Sequence, residues 1–284
     1  MKIKLLAVAV AGILLSGCND DNGPLNSVAV QAFDPAIRGM TAVAVCTDST
    51  TETSLTGHDG NAIFFKQTVQ NSPETCAFTF TGGADAVDVS NSKSMTGVIY
   101  TIPAGMADAD SPITASPLTT LIAKDLAESG NPYSEEAARL VLASIGLDTL
   151  LSDDLSVTEL LSNTEAVLEK LSTTNSDGAS LLAATTAVLT DVLAADPNTS
   201  VADVAAASTA LTEQVLTDYS NYPEDDDGKP IFVEIPADQV DDVIADPTAP
   251  ITLPDPEDAK PVPTPEPGTG TGGTGGGTGG GSGA

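Results

Sequence analysis

The sequence predicts an α+β protein in which a small antiparallel β-sandwich at residues 28–104 precedes an all-α helical bundle at residues 111–220. Two hydrophobic patterns predict this order. Apolar residues alternate in short runs in the first region, as in half-buried strands, and recur every three or four residues in the second, as on helices. A third pattern, dense Asp, Glu, Pro and Gly over residues 221–284, predicts a disordered tail because such a segment buries little apolar surface.

The β-rich region contains about six short apolar runs, and turn residues separate them. The alternation is clearest at Thr41–Cys46 and at Cys76–Phe80, where larger and smaller side chains take turns along the run. Short strands at this spacing are typical of a small sandwich. The runs begin at Val28, Thr41, Asn61, Cys76, Ala86 and Gly97.

Five helices are predicted in the second region, each with an apolar stripe that would face a common core. Ser116 and Pro117 give the first helix an N-cap and a first-turn proline, and Gly130 ends it. The third helix is predicted to run without a break to Leu171. The loops between helices are short, so neighbouring helices should pack antiparallel. The helices start after Ser116, Ser134, Ser156, Asp177 and Ser200.

The formal net charge of −30 excludes whole classes of partner and chemistry. A chain this acidic repels the phosphates of nucleic acids, so we expect no binding of DNA or RNA. The single histidine, His58, lies beside Asp59 in a predicted surface turn, and any Ser-His-Asp or Cys-His site would depend on it. We therefore expect no catalytic residue, no enzymatic activity and no cofactor beyond loosely bound Ca²⁺.

The first 17 residues have the pattern of an export signal. Lys2 and Lys4 precede an apolar run at residues 5–15, and two small residues then lead to Cys18. The run is shorter than the roughly 20 residues that a membrane-spanning helix needs. The segment resembles the signal peptide and lipobox of bacterial lipoproteins.

This resemblance implies a lipid-anchored protein of the cell envelope. Cleavage would occur before Cys18, and this cysteine would carry the acyl chains, including palmitate, that hold the protein on a bilayer. Residues 18–27 would form a linker. Asn19, which follows the lipidated cysteine, lacks the carboxylate that favours retention at the inner membrane in enteric bacteria, so the outer membrane is favoured. Both its periplasmic and its surface face remain open.

Cys46 and Cys76 are predicted to form a disulfide. If Cys18 is lipidated, they are the remaining pair of the chain's three cysteines, and an exported compartment is oxidising. The bond would close a loop of about 30 residues and contribute roughly 3 kcal/mol by restricting the unfolded chain. Two free thiols are the alternative.

A turn followed by an aromatic strand at Thr56–Phe64 resembles the corresponding part of transthyretin-like and Ig-like modules. A strand at Thr41–Cys46 takes the matching place before it. The succession of this β module, the segment Ser111–Ala123 and a helical region is also similar to uncharacterised surface lipoproteins and adhesin-like proteins of Gram-negative bacteria. Such modules serve as spacers or binding domains, which implies no transferable catalytic residue.

One acidic segment is a weak candidate for a metal site. Aligning Gly228 with the glycine of an EF-hand loop places Asp225, Asp227 and Glu234 at ligand positions. Pro223 then stands at the first ligand position, where its side chain cannot bind a cation. A solvated acidic linker is the alternative.

These observations predict a non-enzymatic envelope lipoprotein that acts in adhesion, in contact with an extracellular matrix, or in assembly with partner proteins. Its partners would be the bilayer, through Cys18, and envelope or surface proteins or glycans. The alternative is a lipoprotein that captures a small molecule, glycan or cation for a transport or degradation system. A third hypothesis, a glycosidase that uses two carboxylates, is disfavoured by the low aromatic content of 4%.

Overall fold

The computed structural model of the chain describes residues 27–264. The predicted signal peptide, the predicted lipidation site Cys18 and residues 265–284 lie outside this part. The described residues form antiparallel sheets and helices, so the predicted mixed α+β class is confirmed.

Two sheets occupy the N-terminal region, with strand orders β4-β1-β7 and β3-β2-β5-β6. Neighbouring strands are antiparallel except β1 and β7, which pair in parallel. The short β7 brings residues up to Ala115 into this region, beyond the predicted limit at residue 104. The strands are Val28–Ala32 (β1), Ile37–Cys46 (β2), Thr51–Leu55 (β3), Asn61–Phe64 (β4), Cys76–Asp88 (β5), Ile99–Ile102 (β6) and Thr114–Ala115 (β7).

Small and large side chains complement each other in the core that these two sheets share. Ala42 and Ala44 on β2 lie opposite Phe80 and Phe78 on β5, and all four are fully buried. Phe64 from the other sheet meets Phe78 edge to face, with ring centroids 5.6 Å apart. The alternation seen in the sequence is therefore the alternation between the core face and the outer face.

The predicted disulfide is present. Cys46 at the end of β2 lies directly opposite Cys76 at the start of β5, with a Cα–Cα distance of 3.8 Å. It ties together the ends of two strands that are already hydrogen-bonded partners.

Gly82 on β5 is expected to tolerate no side chain, and its neighbour Gly83 provides a matched control. A Cβ at residue 82 would lie 1.8 Å from the Met95 carbonyl oxygen, whereas a Cβ at residue 83 would meet nothing within 4 Å. Because the clash is with backbone, we expect Gly82→Ala to lower the free energy of unfolding by about 3 kcal/mol or more. Urea denaturation should show a far smaller change for Gly83→Ala, and equal stabilities of the two variants would contradict the close contact at Gly82.

Helices follow the sheets, and their first caps are the predicted ones. Ser116 accepts a hydrogen bond from the Thr119 amide in a capping box, and Gly130 ends the helix in the left-handed conformation. The side chains of Ser134, Ser156 and Ser200 cap later helices by accepting a hydrogen bond from the amide three residues further on. The helices are Gln67–Asn71 (α1), Pro117–Ser129 (α2), Glu135–Ser144 (α3), Val157–Ser162 (α4), Thr164–Thr174 (α5), Ser176–Ala195 (α6), Val201–Asp218 (α7) and Ala237–Ala245 (α8).

The predicted unbroken third helix is wrong, because the chain divides at Asn163 into α4 and α5. Asn163 has φ −145°, outside the helical range, and its side-chain oxygen accepts a hydrogen bond from the Ala166 amide. An Asn side chain often replaces the helical hydrogen bond in this way. Leu160, Leu161 and Val167 still reach one core across the break.

Helix α6 is the central element of the helical core and packs against α2, α5, α7 and α8. Among the described helices it alone is long and apolar enough to cross a membrane, but 67% of its apolar window is buried inside the protein. Its length and apolarity are therefore explained by its place in the core.

The predicted disorder of the segment after residue 220 is wrong for the part described. This part contains α8 and a two-stranded ladder of Ile231–Phe232 (β8) and Glu257–Asp258 (β9). Its short apolar runs bury Tyr222, Val233 and Val240 in the helical core, which offsets the polar composition. The chain then returns to the sheets, where the Val262 amide donates to the Val89 carbonyl at 2.8 Å.

Candidate ligand site between the sheets and the helices

Three parts of the chain converge where the sheets meet α6. The turn after β1 supplies Asp34, the end of β5 supplies Asp88 and the turn after it Lys93, and α6 supplies Thr190 and Asp191. All five side chains are largely buried. Because buried polar groups are costly unless they are paired, this cluster is where functional chemistry is most expected.

Asp34 is held by hydroxyl groups on one side only. Its Oδ2 accepts hydrogen bonds from Tyr100 Oη, at 3.1 Å, and from Thr190 Oγ1. The two hydroxyl oxygens lie 2.8 Å from each other. Both of these hydrogen bonds go to Oδ2, no described residue donates to Oδ1, and Asp34 lines a cavity.

Burial gives Asp34 an unusual ionisation. Desolvation raises the pKa of its carboxyl to about 7, against the opposing effects of the Thr190 hydrogen bond and the Lys93 charge. The nearby carboxylates of Asp88 and Asp191 raise this pKa further. Asp34 therefore changes its charge near neutral pH.

Lys93 and Asp191 form a buried ion pair between the sheets and α6. Lys93 Nζ lies 2.5 Å from Asp191 Oδ1, and the side chains are 8% and 9% exposed. Asp191 Oδ2 accepts a hydrogen bond from the Ile235 amide at 2.9 Å, so the pair also holds the C-terminal segment. Burial disfavours the Lys93 ammonium, but the charges of Asp191, Asp34 and Glu234 outweigh it and raise the pKa of Lys93.

Asp88 is satisfied within its own turn. Its Oδ1 accepts from the Ser90 amide at 2.7 Å and the Ser90 hydroxyl at 2.8 Å, and its Oδ2 accepts from Asn91 Nδ2 at 2.8 Å. Burial raises the pKa of this carboxyl to about 6, against these hydrogen bonds. The turn residues therefore order Asp88, whose amide donates a hydrogen bond to the Lys93 carbonyl at 3.0 Å.

A cavity of about 200 Å³ opens above this cluster, between the sheets, α6 and the C-terminal segment. Most of its lining is apolar, and Asp34, Asp88 and Lys93 supply its charges. The apolar and aromatic lining residues include Phe33, Pro35, Leu168, Ala183, Ala187, Tyr222, Ile231, Phe232 and Val233.

The residues predicted as metal ligands do not form a metal site. Asp225 belongs to the turn before β8, and its Oδ1 accepts from the amides of Asp227 and Lys229. Glu234 is exposed on the other side of β8, and residues 27–264 contain no group of three or more side chains that could hold a metal ion. The EF-hand alignment fails because this segment folds back in a tight hairpin turn, which an antiparallel bridge between Glu224 and Pro230 closes.

The cluster around Asp34 was not predicted from the sequence, although one signal was present. Asp191 interrupts the most apolar of the helices that the structure describes, and a charge at such a position requires a buried partner. The partner lies 98 residues away in sequence, and no local pattern identifies it. His58 lies in the predicted turn and is not one of the residues of this cluster.

Replacing Asp34 by Asn is expected to stabilise the protein increasingly as the pH rises. The folded carboxyl holds its proton up to pH about 7, whereas the unfolded one loses it near 4, so folding stability falls between these values. Asn cannot ionise, and its oxygen can still accept from Tyr100 and Thr190. We expect the variant's advantage to be small at pH 4 and to reach up to about 4 kcal/mol at pH 8.

Urea denaturation of both proteins at several pH values measures this difference. A stability difference that stays constant from pH 4 to pH 8 would contradict a buried carboxyl with a raised pKa at residue 34.

No protein-family model matches the chain, and no curated protein or solved structure is significantly similar to it. The function is therefore inferred from the geometry of the site.

Proposed function

We propose that this protein is a non-enzymatic envelope lipoprotein that captures a small ligand in the cavity between its sheets and helices. The observation that carries the proposal is the apolar cavity of about 200 Å³ whose wall holds a buried carboxyl, Asp34. Apolar pockets with a few convergent polar groups and shifted pKa values are the usual form of a ligand site.

The construction of the wall supports this proposal. Tyr100 and Thr190 fix the orientation of Asp34, and the Lys93–Asp191 ion pair fixes the turn and the helix on either side. The polar groups are thus held in place before a ligand arrives, which lowers the cost of binding. An empty apolar cavity of roughly 150 Å³ holds benzene, so this one suits a ligand of that size or a few atoms larger.

Lipid anchoring completes the proposal. The lipobox-like segment that ends at Cys18 supports export and acylation. Cells that express the protein should incorporate labelled palmitate into it, and Cys18→Ala should abolish both the label and the partition into detergent. Equal labelling of this variant would contradict the anchor and leave the ligand site untouched.

A matched pair of substitutions on α6 tests the ligand site. Ala187 lines the cavity, whereas Ala194 lies on the exposed side of the same helix. A library of compounds of benzene size, screened by thermal shift, should yield compounds that stabilise the wild type and Ala194→Leu. Ala187→Leu fills the cavity and should lose this response, and a response that persists in this variant would place the binding elsewhere.

A second candidate function, adhesion or assembly with a partner, is favoured by one surface. On the outer face of the sheet β3-β2-β5-β6, the part formed by Thr41–Val45 and the residues paired with them carries no charged side chain, although the chain is strongly acidic. Val45, Leu55 and Ile99 are about half exposed on it. The remaining residues of this uncharged part of the face are Thr41, Val43, Thr51, Thr53, Ala77, Thr79, Thr81 and Thr101.

A charge on this face distinguishes the two functions. Thr79→Lys should reduce attachment of expressing cells to surfaces if the face docks a partner, and it should leave binding in the cavity unchanged. Unchanged attachment would count against this second function.

A further inference from the structure

The cavity wall contains the carboxyl group of Asp34, and its one lysine, Lys93, is already paired with another acid. Lys93 is paired with Asp191, and both oxygens of Asp88 receive hydrogen bonds from its own turn. Among the described residues that line the cavity, Asp34 is therefore the acid with an oxygen, Oδ1, that receives no hydrogen bond from the protein. A buried carboxylate in this position favours a ligand that brings a positive charge.

Aromatic side chains surround the same space. The chain has only six Phe and four Tyr, yet Phe33, Tyr222 and Phe232 all line this cavity. Each of the three is at least 94% buried. Aromatic rings beside a carboxylate are the combination that binds quaternary ammonium groups, because the face of a ring attracts a cation.

We propose that the ligand is a small organic cation, an ammonium group on an apolar body, and that Asp34 is its counter-ion. This inference rests on the proposed function and names the chemical class of the ligand. The overall charge of −30 favours the same class, since it attracts cations and repels anions.

The ionisation of Asp34 gives this binding a pH dependence. The charged and titratable groups that act on Asp34 come from every element around it. They are Asp88 at the end of β5, Lys93 from the turn after it, Tyr100 from β6, Asp191 from α6, and Tyr222 from the C-terminal segment. Burial keeps the pKa of Asp34 near 7, so a permanently charged cation binds more tightly when the pH rises through this value and releases a proton on binding.

Calorimetry of the full chain with choline tests the proposal, with dimethylbutanol as the probe control. Dimethylbutanol has the same shape as choline but carries carbon in place of the charged nitrogen. We expect choline to bind at pH 8 at least about tenfold more tightly than dimethylbutanol, and to weaken about tenfold at pH 6. The affinity of dimethylbutanol should not change with pH.

Two variants with the same net charge identify the residue that gives the preference for choline. Asp34→Asn should lose the preference for choline and its pH dependence, whereas Asp226→Asn, at an exposed position on the nearby hairpin, should keep both. If Asp34→Asn fails to fold, the pH dependence of choline binding to the wild type tests the inference.

The inference is overturned if choline and dimethylbutanol bind equally, if Asp34→Asn keeps the preference, or if neither probe binds. Equal binding that Ala187→Leu abolishes would overturn the cationic ligand and leave the proposed ligand site intact.

Discussion

Deleting the chain after Asn221 is expected to prevent the helical core from folding. Besides Tyr222, the deletion removes five aliphatic side chains that are each at most 5% exposed in that core. Burial of one such side chain stabilises a fold by about 1.5–3 kcal/mol, so their joint loss approaches the total stability of a typical domain. The five residues are Ile231, Val233, Ile235, Val240 and Val243.

Circular dichroism and thermal denaturation of the deleted chain measure this effect, and a pair of point variants supports the interpretation. Val240→Asp places a charge at a fully buried position on α8 and should cost more than about 3 kcal/mol. Asp241→Ala, at the exposed neighbouring residue, should change stability by less than about 0.5 kcal/mol. A deleted chain that melts like the full chain would mean that this segment does not belong to the core.

Replacing Lys93 by Met is expected to cost about 3–5 kcal/mol, because it leaves the Asp191 carboxylate buried without a counter-charge. The loss would also loosen the C-terminal segment, since Asp191 holds the Ile235 amide. Combining Lys93→Met with Asp191→Asn should recover most of the loss, because the Asn oxygen can still accept from Ile235 and neither charge of the pair is left buried without the other.

An exposed ion pair provides the control for this prediction. Lys170 lies 3.5 Å from Glu159, and both side chains are nearly half exposed. Pairs of this kind contribute little, so Lys170→Met should change the free energy of unfolding by less than about 1 kcal/mol. Urea denaturation at pH 7 compares the variants. Similar losses for Lys93→Met and Lys170→Met would contradict the structural importance of the buried pair.

Local chemistry explains which parts of the fold could be predicted from the sequence. The helix that begins after Ser116 and ends at Gly130 is fixed by its own cap, proline and glycine, all within 15 residues. The pairing of Cys46 with Cys76 follows from the number of cysteines and the expected compartment. Alternation on β2 and β5 likewise needs only neighbouring residues.

The errors arise where distant contacts decide the outcome. Composition marks residues 221–264 as polar, but a few apolar side chains at the correct spacing are enough to bury Val240 and Val243 against the helices. The candidate site escaped prediction for the same reason. Asp34 and Thr190 are 156 residues apart, and only the folded chain brings them together.

The measurement that tests the ligand site most directly is the mapping of amide chemical shifts during titration of the full chain with choline at pH 8. We expect saturable shifts confined to the turn at Asp34, to the turn after Asp88, to α6 near Ala187 and to the segment from Tyr222 to Val233. Shifts that are spread over the acidic surface and never saturate would mean that choline is held only by the overall charge, which would contradict a ligand site in this cavity.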